Sequence, residues 1–304
     1  MTETSAVRQA LAAAGMADDF GVPEVLAGGE NSTAWRIHRP DGTAVVVKAF
    51  GKPGSGTPAG AATPEDLFEI EAEGLAALRT PDGFVTPDVL AVTPGALVLE
   101  SLLPRPHDDV GFWERAGRAL AATHEVTDPR FGWHRDGWLG SLRQENAWHE
   151  DGYAFYATHR ILRYLTEPPV QAALNPADRA GLHRLCERLP LLVPPAPASL
   201  THGDLAPANV LVARDGRPAL IDPAVSFTWA EVDLSMLYWI GLAWPTAKVP
   251  DRFFDAYAEQ RPIEDGWRDR VPLLHLRELL SLVAHRDTRR DHVADIRSIT
   301  RAFG

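Results

Sequence analysis

Asp204, Asn209 and Asp222 stand in one stretch, Ser199–Ala224, which reads SLTHGDLAPANVLVARDGRPALIDPA. Val210–Ala213 and Pro218–Ile221 are short apolar runs, and the Asp215-Gly216 step between them is a strong hairpin signal. A hairpin leaves Asn209 before its first strand and Asp222 after its second, at the same open end. Two oxygens presented there are suited to a hard cation such as Mg²⁺. Asp204, five residues before Asn209, is then placed to take the proton of a hydroxyl. The stretch therefore offers a candidate acid–base carboxylate beside a candidate cation site.

Such a site needs elements that bring a nucleotide to it, and the chain before the stretch supplies candidates. A short helix is expected over residues 5–14 and a strand over 22–27. Gly28-Gly29 follows, a turn where backbone can approach a ligand closely and its N–H groups can face phosphates. Thr43–Phe50 is a strand rich in β-branched residues, with Lys48 near its end. Residues 51–62, rich in Gly, Pro and Ser, read as a flexible connection. Thr63-Pro64-Glu65-Asp66 reads as a helix start. On that helix Glu71 falls inside the stripe of Leu67, Phe68, Ala72, Leu75 and Leu78. A carboxylate there is costly unless paired, and Lys48 is the expected partner.

Strands over 89–92 and 96–102 complete this part, and a boundary near Ser101 divides residues 1–101 from 102–304. Beyond it helices are expected over about 108–125, 150–166, 177–190, 231 onward, 250–260, 267–286 and 290–302. Phe131–Trp148 carries Trp133, Trp138 and Trp148 among several glycines. Aromatics so placed fit either a sugar or amine pocket or the core under a long loop, and composition alone favours core. The single cysteine, Cys186, lies in an apolar helical pattern and reads as an inert thiol.

The chain has 304 residues and a formal net charge of -11. That balance argues against non-specific binding to nucleic acid or to anionic membranes. No apolar run reaches membrane-spanning length and no signal-peptide pattern opens the chain, so a cytoplasmic protein is expected.

The spacing from His202 to Asn209 is that of the protein-kinase loop H-R-D-L-x-x-x-N, with Gly203 for Arg. Taken with FExEAxGL at 68–75, LVLESL at 97–102, FGxxxDxxxGxxxQxNxW at 131–148 and GRPALIDPAV at 216–225, the chain most resembles the fructosamine kinase (ketosamine-3-kinase) family. The resemblance implies a two-lobed, protein-kinase-like α+β fold: a small antiparallel-sheet N-lobe with one helix, and a larger, mainly helical C-lobe. It implies ATP and Mg²⁺, and phosphorylation of a ketosamine hydroxyl. Asp204 would be the base, and Asn209 and Asp222 the metal ligands. Gly28, Gly29, Lys48 and Glu71, with backbone groups at Glu100 and Leu102, would hold nucleotide. Trp133, Asp136 and Asp233 would contact substrate. The chain departs from the family pattern at Gly137, Ser32, Thr33 and Ala206-Pro207-Ala208. An aminoglycoside- or choline-type kinase is the first alternative. A non-catalytic nucleotide-binding regulator is the second, though it would be expected to lack one of the key residues.

Overall fold

The computed structural model describes residues 3–16, 20–26, 32–50, 64–106 and 109–304. After α1 (Glu3–Ala13) come β1 (Glu24–Leu26), β2 (Ser32–His38) and β3 (Ala44–Phe50). Then follow α2 (Leu67–Ala77), β4 (Val89–Thr93) and β5 (Ala96–Glu100). The strands form one antiparallel sheet in the order β1-β2-β3-β5-β4. Its two faces follow from side-chain alternation. Trp35, Ile37, Val45 and Val47 pack with Val7, Ala10 and Leu11 of α1. Leu97 and Leu99 pack with Phe68 and Leu75 of α2. Since Val45, Val47 and Ala49 face α1, the alternation turns Lys48 toward α2. Gly28, Gly29 and Thr63 lie outside the described residues. α2 itself begins at Leu67, three residues after Pro64.

The rest of the chain is mainly helical. It runs through α3 (Val110–His124), β6 (Thr127–Asp128), β7 (Gly137–Leu139), β8 (Leu142–Gln144) and α4 (Gly152–Phe155). α5 (Pro168–Ala173), α6 (Pro176–Leu192), β9 (Ala198–Thr201), β10 (Val210–Val212), β11 (Pro218–Leu220) and β12 (Ser226–Thr228) follow. α7 (Glu231–Ala243), α8 (Asp251–Gln260), α9 (Trp267–Leu274), α10 (Leu276–Ala284) and α11 (His292–Phe303) close the chain. The expected hairpin is β10–β11, with Val210 opposite Leu220.

Two expected helices are interrupted. The one over 150–166 passes from α4 into a π-helical segment, Tyr156–Ile161, and then a 3₁₀ segment. The one over 267–286 divides at His275 into α9 and α10. Cys186 is buried, and burial pushes its thiol up to about 12, so it is inert. No helix among the described residues is long and apolar enough to cross a membrane.

Candidate active site

β9 delivers the chain to His202-Gly203-Asp204, and β10–β11 returns it to Asp222. The two segments are clamped together. Ala224 donates its N–H to the His202 carbonyl at 2.9 Å. The His202 ring bonds the Ile221 carbonyl through Nε2 at 2.9 Å and accepts from the Asp204 N–H at Nδ1 at 3.2 Å. Those partners fix one neutral tautomer, and burial lowers the His202 pKa. Gly203 has φ +77°, and a Cβ there would stand 2.1 Å from the Ala224 carbonyl oxygen. This close approach explains why glycine follows the histidine. On the other side of Asp204, Asn209 donates from Nδ2 to the Asp204 carbonyl at 2.8 Å. Its Oδ1 is thereby oriented as an acceptor. Asp222 sits in the left-handed backbone region, φ +57°, at the end of the hairpin.

Behind the loop lies a sealed polar network. Asp233, 1% exposed, accepts from the backbone N–H of His202 at 2.7 Å and of Gly203 at 3.0 Å. His124 Nε2 is 3.3 Å from the same carboxylate, and its Nδ1 is 2.9 Å from the Tyr257 hydroxyl. Burial alone would raise the Asp233 carboxyl, but His124, His202 and the backbone donors hold it below the usual carboxylate range. The expectation that Asp233 contacts substrate is therefore corrected: both its oxygens are committed to the loop's backbone and to His124. Arg277, 4% exposed, adds a second support by donating to the Gly203 carbonyl.

In front of the loop Lys48 meets it from the sheet. Its Nζ lies 2.5 Å from Glu71 Oε1 and 2.5 Å from Asp222 Oδ1. Burial works against the ammonium, yet Asp222 and Glu71 raise its pKa and keep it charged. Burial pushes the Glu71 carboxyl up, and Lys48 opposes that shift. Lys48, Glu71, Asp204, Asn209 and Asp222 all line one cavity of about 490 Å³, a volume that suits small-molecule chemistry.

The Trp-rich stretch has a different place from the one expected. Trp133 Nε1 donates to Glu73 of α2 at 2.8 Å, and its ring tilts against Phe227. Asp136 Oδ1 accepts from the Asn146 N–H at 2.9 Å. Neither lines the cavity, and both make structural contacts here. From the same stretch Trp138, Leu139 and Gly140 do line it. Trp138 Nε1 also donates to Asp66 at 3.0 Å, beside Arg143, which reaches Asp66 at 3.0 and 2.8 Å. Arg143 and Trp138 hold the Asp66 carboxyl below its usual range. The stretch thus straps the α2 that carries Glu71 to the helical part. Glu100 and Leu102 are also outside the cavity lining. The Glu100 N–H goes to the Asp88 carbonyl at 2.9 Å, and Leu102 packs with Ala213 and Ala219.

Comparison with known proteins agrees with this geometry. A probable ketoamine kinase of Enterococcus faecium is 33% identical over 222 residues, covering 71% of this chain and 76% of the relative. A crystal structure of a Thermobifida fusca protein, provisionally named fructosamine-3-kinase, matches with TM-score 0.80 and 31% identity, covering 99% of this chain and 100% of that one. An aminoglycoside phosphotransferase solved with AMP-PNP and hygromycin B shares only the fold, at TM-score 0.60 and 15% identity over 94% of this chain and 95% of its own. The fold is the two-lobed, kinase-like α+β fold that the resemblance implied. Residues 17–289 match the family model described as fructosamine kinase. With the match spanning most of the chain and the site's groups gathered in one cavity, this chain belongs to the fructosamine kinase family.

Proposed function

We propose that the chain transfers the γ-phosphoryl group of ATP to a hydroxyl of a ketosamine at this cavity, with residues 1–101 and 102–304 as its two lobes. One observation carries the reading: Lys48 bridges Glu71 and Asp222 at 2.5 Å each, on the wall that also holds Asp204 and Asn209. Lys48, held by Glu71, binds the α/β-phosphates. The Glu100 carbonyl and the Leu102 backbone, between the lobes, grip adenine. The Asp204 carboxylate orients the acceptor hydroxyl and takes its proton as the oxygen bonds phosphorus and the bond to ADP breaks. Phosphoryl transfer passes through a loose transition state, so most of the protein's contribution is positioning and charge stabilisation.

The residues present fit Mg²⁺. Asn209 Oδ1 and the Asp222 carboxylate are hard oxygen donors on one wall. Among the described residues no group of three or more His, Cys, Asp or Glu could hold a metal. Two protein oxygens completed by phosphate and water suit Mg²⁺, which commonly binds through one or two carboxylates and substrate phosphates. When bound it would neutralise charge on the phosphates.

The test is an ATP-consumption screen over ribulosamines, fructosamines and aminoglycosides, run on the wild type and on Asp204→Asn. Ketosamines should be phosphorylated and aminoglycosides left. The variant should lose roughly 10²–10⁴-fold in kcat with Mg·ATP affinity nearly unchanged. Turnover of aminoglycosides alone would reassign the substrate, and wild-type kcat in the variant would remove Asp204 as base.

A further inference from the structure

We propose that the far end of the cavity, between α7 and α10, is a subsite for a protonated secondary amine bearing an apolar substituent, with Glu278 as the ammonium's partner. The inference rests on the ketosamine-kinase reading and specifies which ketosamines the site takes.

The cavity does not stop at the catalytic groups. Met236 and Ile240 line it from one face of α7, four residues apart, and Trp244, the residue that caps the helix, lines it beyond them. Leu282 lines it from α10. These side chains make the apolar part of the wall, and its polar groups are Glu278 and Ser281 of α10, with His275 before that helix and Arg289 after it. Glu278 stands 3.5 Å from Arg277, whose guanidinium also donates to the carbonyl of Gly203, the residue before Asp204. The start of α10 is thereby tied to the catalytic loop, and Glu278 and Asp204 line the same cavity. A carboxylate offers about four acceptor positions, so an ammonium can join the partners Glu278 already has.

Ketosamine chemistry matches that wall. The sugar carries the acceptor hydroxyl, and its chain ends in a secondary amine that is charged near neutral pH. Whatever is attached to the nitrogen must continue past Glu278 onto Met236, Ile240, Trp244 and Leu282. The hairpin side of the pocket is lined by small residues, Ala206 and Ala208, which leave room for the sugar to turn.

The experiment uses the full chain with Mg·ATP and a series of fructosamines whose amine substituent grows from methyl to n-butyl. kcat/KM should rise roughly 4-fold per added methylene, the increment expected from burying each one. Met236→Ala should flatten that rise. Glu278→Gln should lower kcat/KM for the fructosamines roughly 10- to 100-fold, through KM, the value of a hydrogen bond to a charged group. The same variant should lose several-fold less on an ether analogue, with oxygen in place of the nitrogen, because that analogue has no ammonium to pair. That selectivity distinguishes an ammonium partner from a residue that merely supports the helix. Fructosamines turned over at one rate whatever the substituent, or an equal loss on the ether, would overturn the subsite while leaving the kinase reading intact. Failure of every ketosamine would overturn that reading and the subsite with it. The substituent series needs only the wild-type protein, so the subsite is tested even if a variant does not fold.

Discussion

Glu71, half-buried, and Asp233, fully buried, are carboxylates on opposite sides of the catalytic loop, and their environments differ. Asp233 has two backbone N–H donors and His124, each fixed by the fold, and its carboxyl is stabilised in the charged form. Glu71 has Lys48, whose ammonium it shares with Asp222, and burial raises its carboxyl. The rear support is complete without a ligand. The front pair faces the cavity, and in the proposed reaction Lys48 and Asp222 would pass to phosphate and cation. Rigidity is concentrated where the loop must keep its shape, and exchangeable partners where substrate must enter.

This contrast predicts different readouts for the two acids. Asp233→Asn should be the most damaging to the fold, because the amide cannot accept from both N–H groups and leaves His124 beside it without its charged partner. Leaving a buried donor without its acceptor in this way costs about 1–3 kcal/mol. Urea unfolding should report that loss, and unchanged stability would dissolve the distinction between the two sides. Glu71→Gln should instead leave the unfolding midpoint close to wild type and lower kcat by as much as roughly 10²-fold, the scale of a misplaced positioning group. Steady-state kinetics and urea melts on the same preparation separate the two outcomes.

The smallest expected effect concerns pH. His124 and His202 have pKa values lowered by burial, and burial takes His275 down to about 3, helped by the charge of Arg277. A histidine kept neutral in the fold is protonated once the chain unfolds. The unfolded state then binds the extra proton below about pH 6.5, and stability falls as pH falls. For His275 the window runs from about 6.5 down to about 3. Each such histidine contributes a slope of about 1.4 kcal/mol per pH unit inside its window. Asp233 acts lower: its folded pKa is depressed, so its contribution is present above the ordinary carboxylate range and is lost as pH falls through that folded value. His275→Phe keeps a ring to stack on Trp239 and removes one titration. Urea midpoints between pH 7.5 and 5 should fall less steeply in that variant, and an equal slope would show that His275 titrates normally.

The parts legible in the sequence are those whose logic is local. The β10–β11 hairpin announces itself by Asp215-Gly216 between apolar runs, and its ends carry Asn209 and Asp222 to one wall. The Lys48–Glu71 pair was readable because a carboxylate in an apolar stripe demands a cation. Asp233 was misread because its partners, His202 and His124, are far from it in sequence and only the packing of α3 and α7 beneath the loop joins them. Trp133 and Trp138 fitted pocket or core by composition, with core favoured, and the structure uses their indole N–H groups on Glu73 and Asp66. Arg277 carried no signal: in sequence it is one charge in a helical pattern, and its contact with Gly203 is purely tertiary.

The close approach of Gly203 to Ala224 couples two segments that the reaction uses differently. Because the Ala224 N–H is bonded to the His202 carbonyl and no side chain separates the strands at Gly203, Asp204 and Asp222 ride on one rigid block. Lys48 and Glu71 belong to another, carried by β3 and α2. Any rotation of one lobe against the other changes the distance from Lys48 to Asp222 and leaves the distance from Asp204 to Asp222 untouched. A fluorophore pair across the first distance would report such a rotation, and one across the second would stay silent.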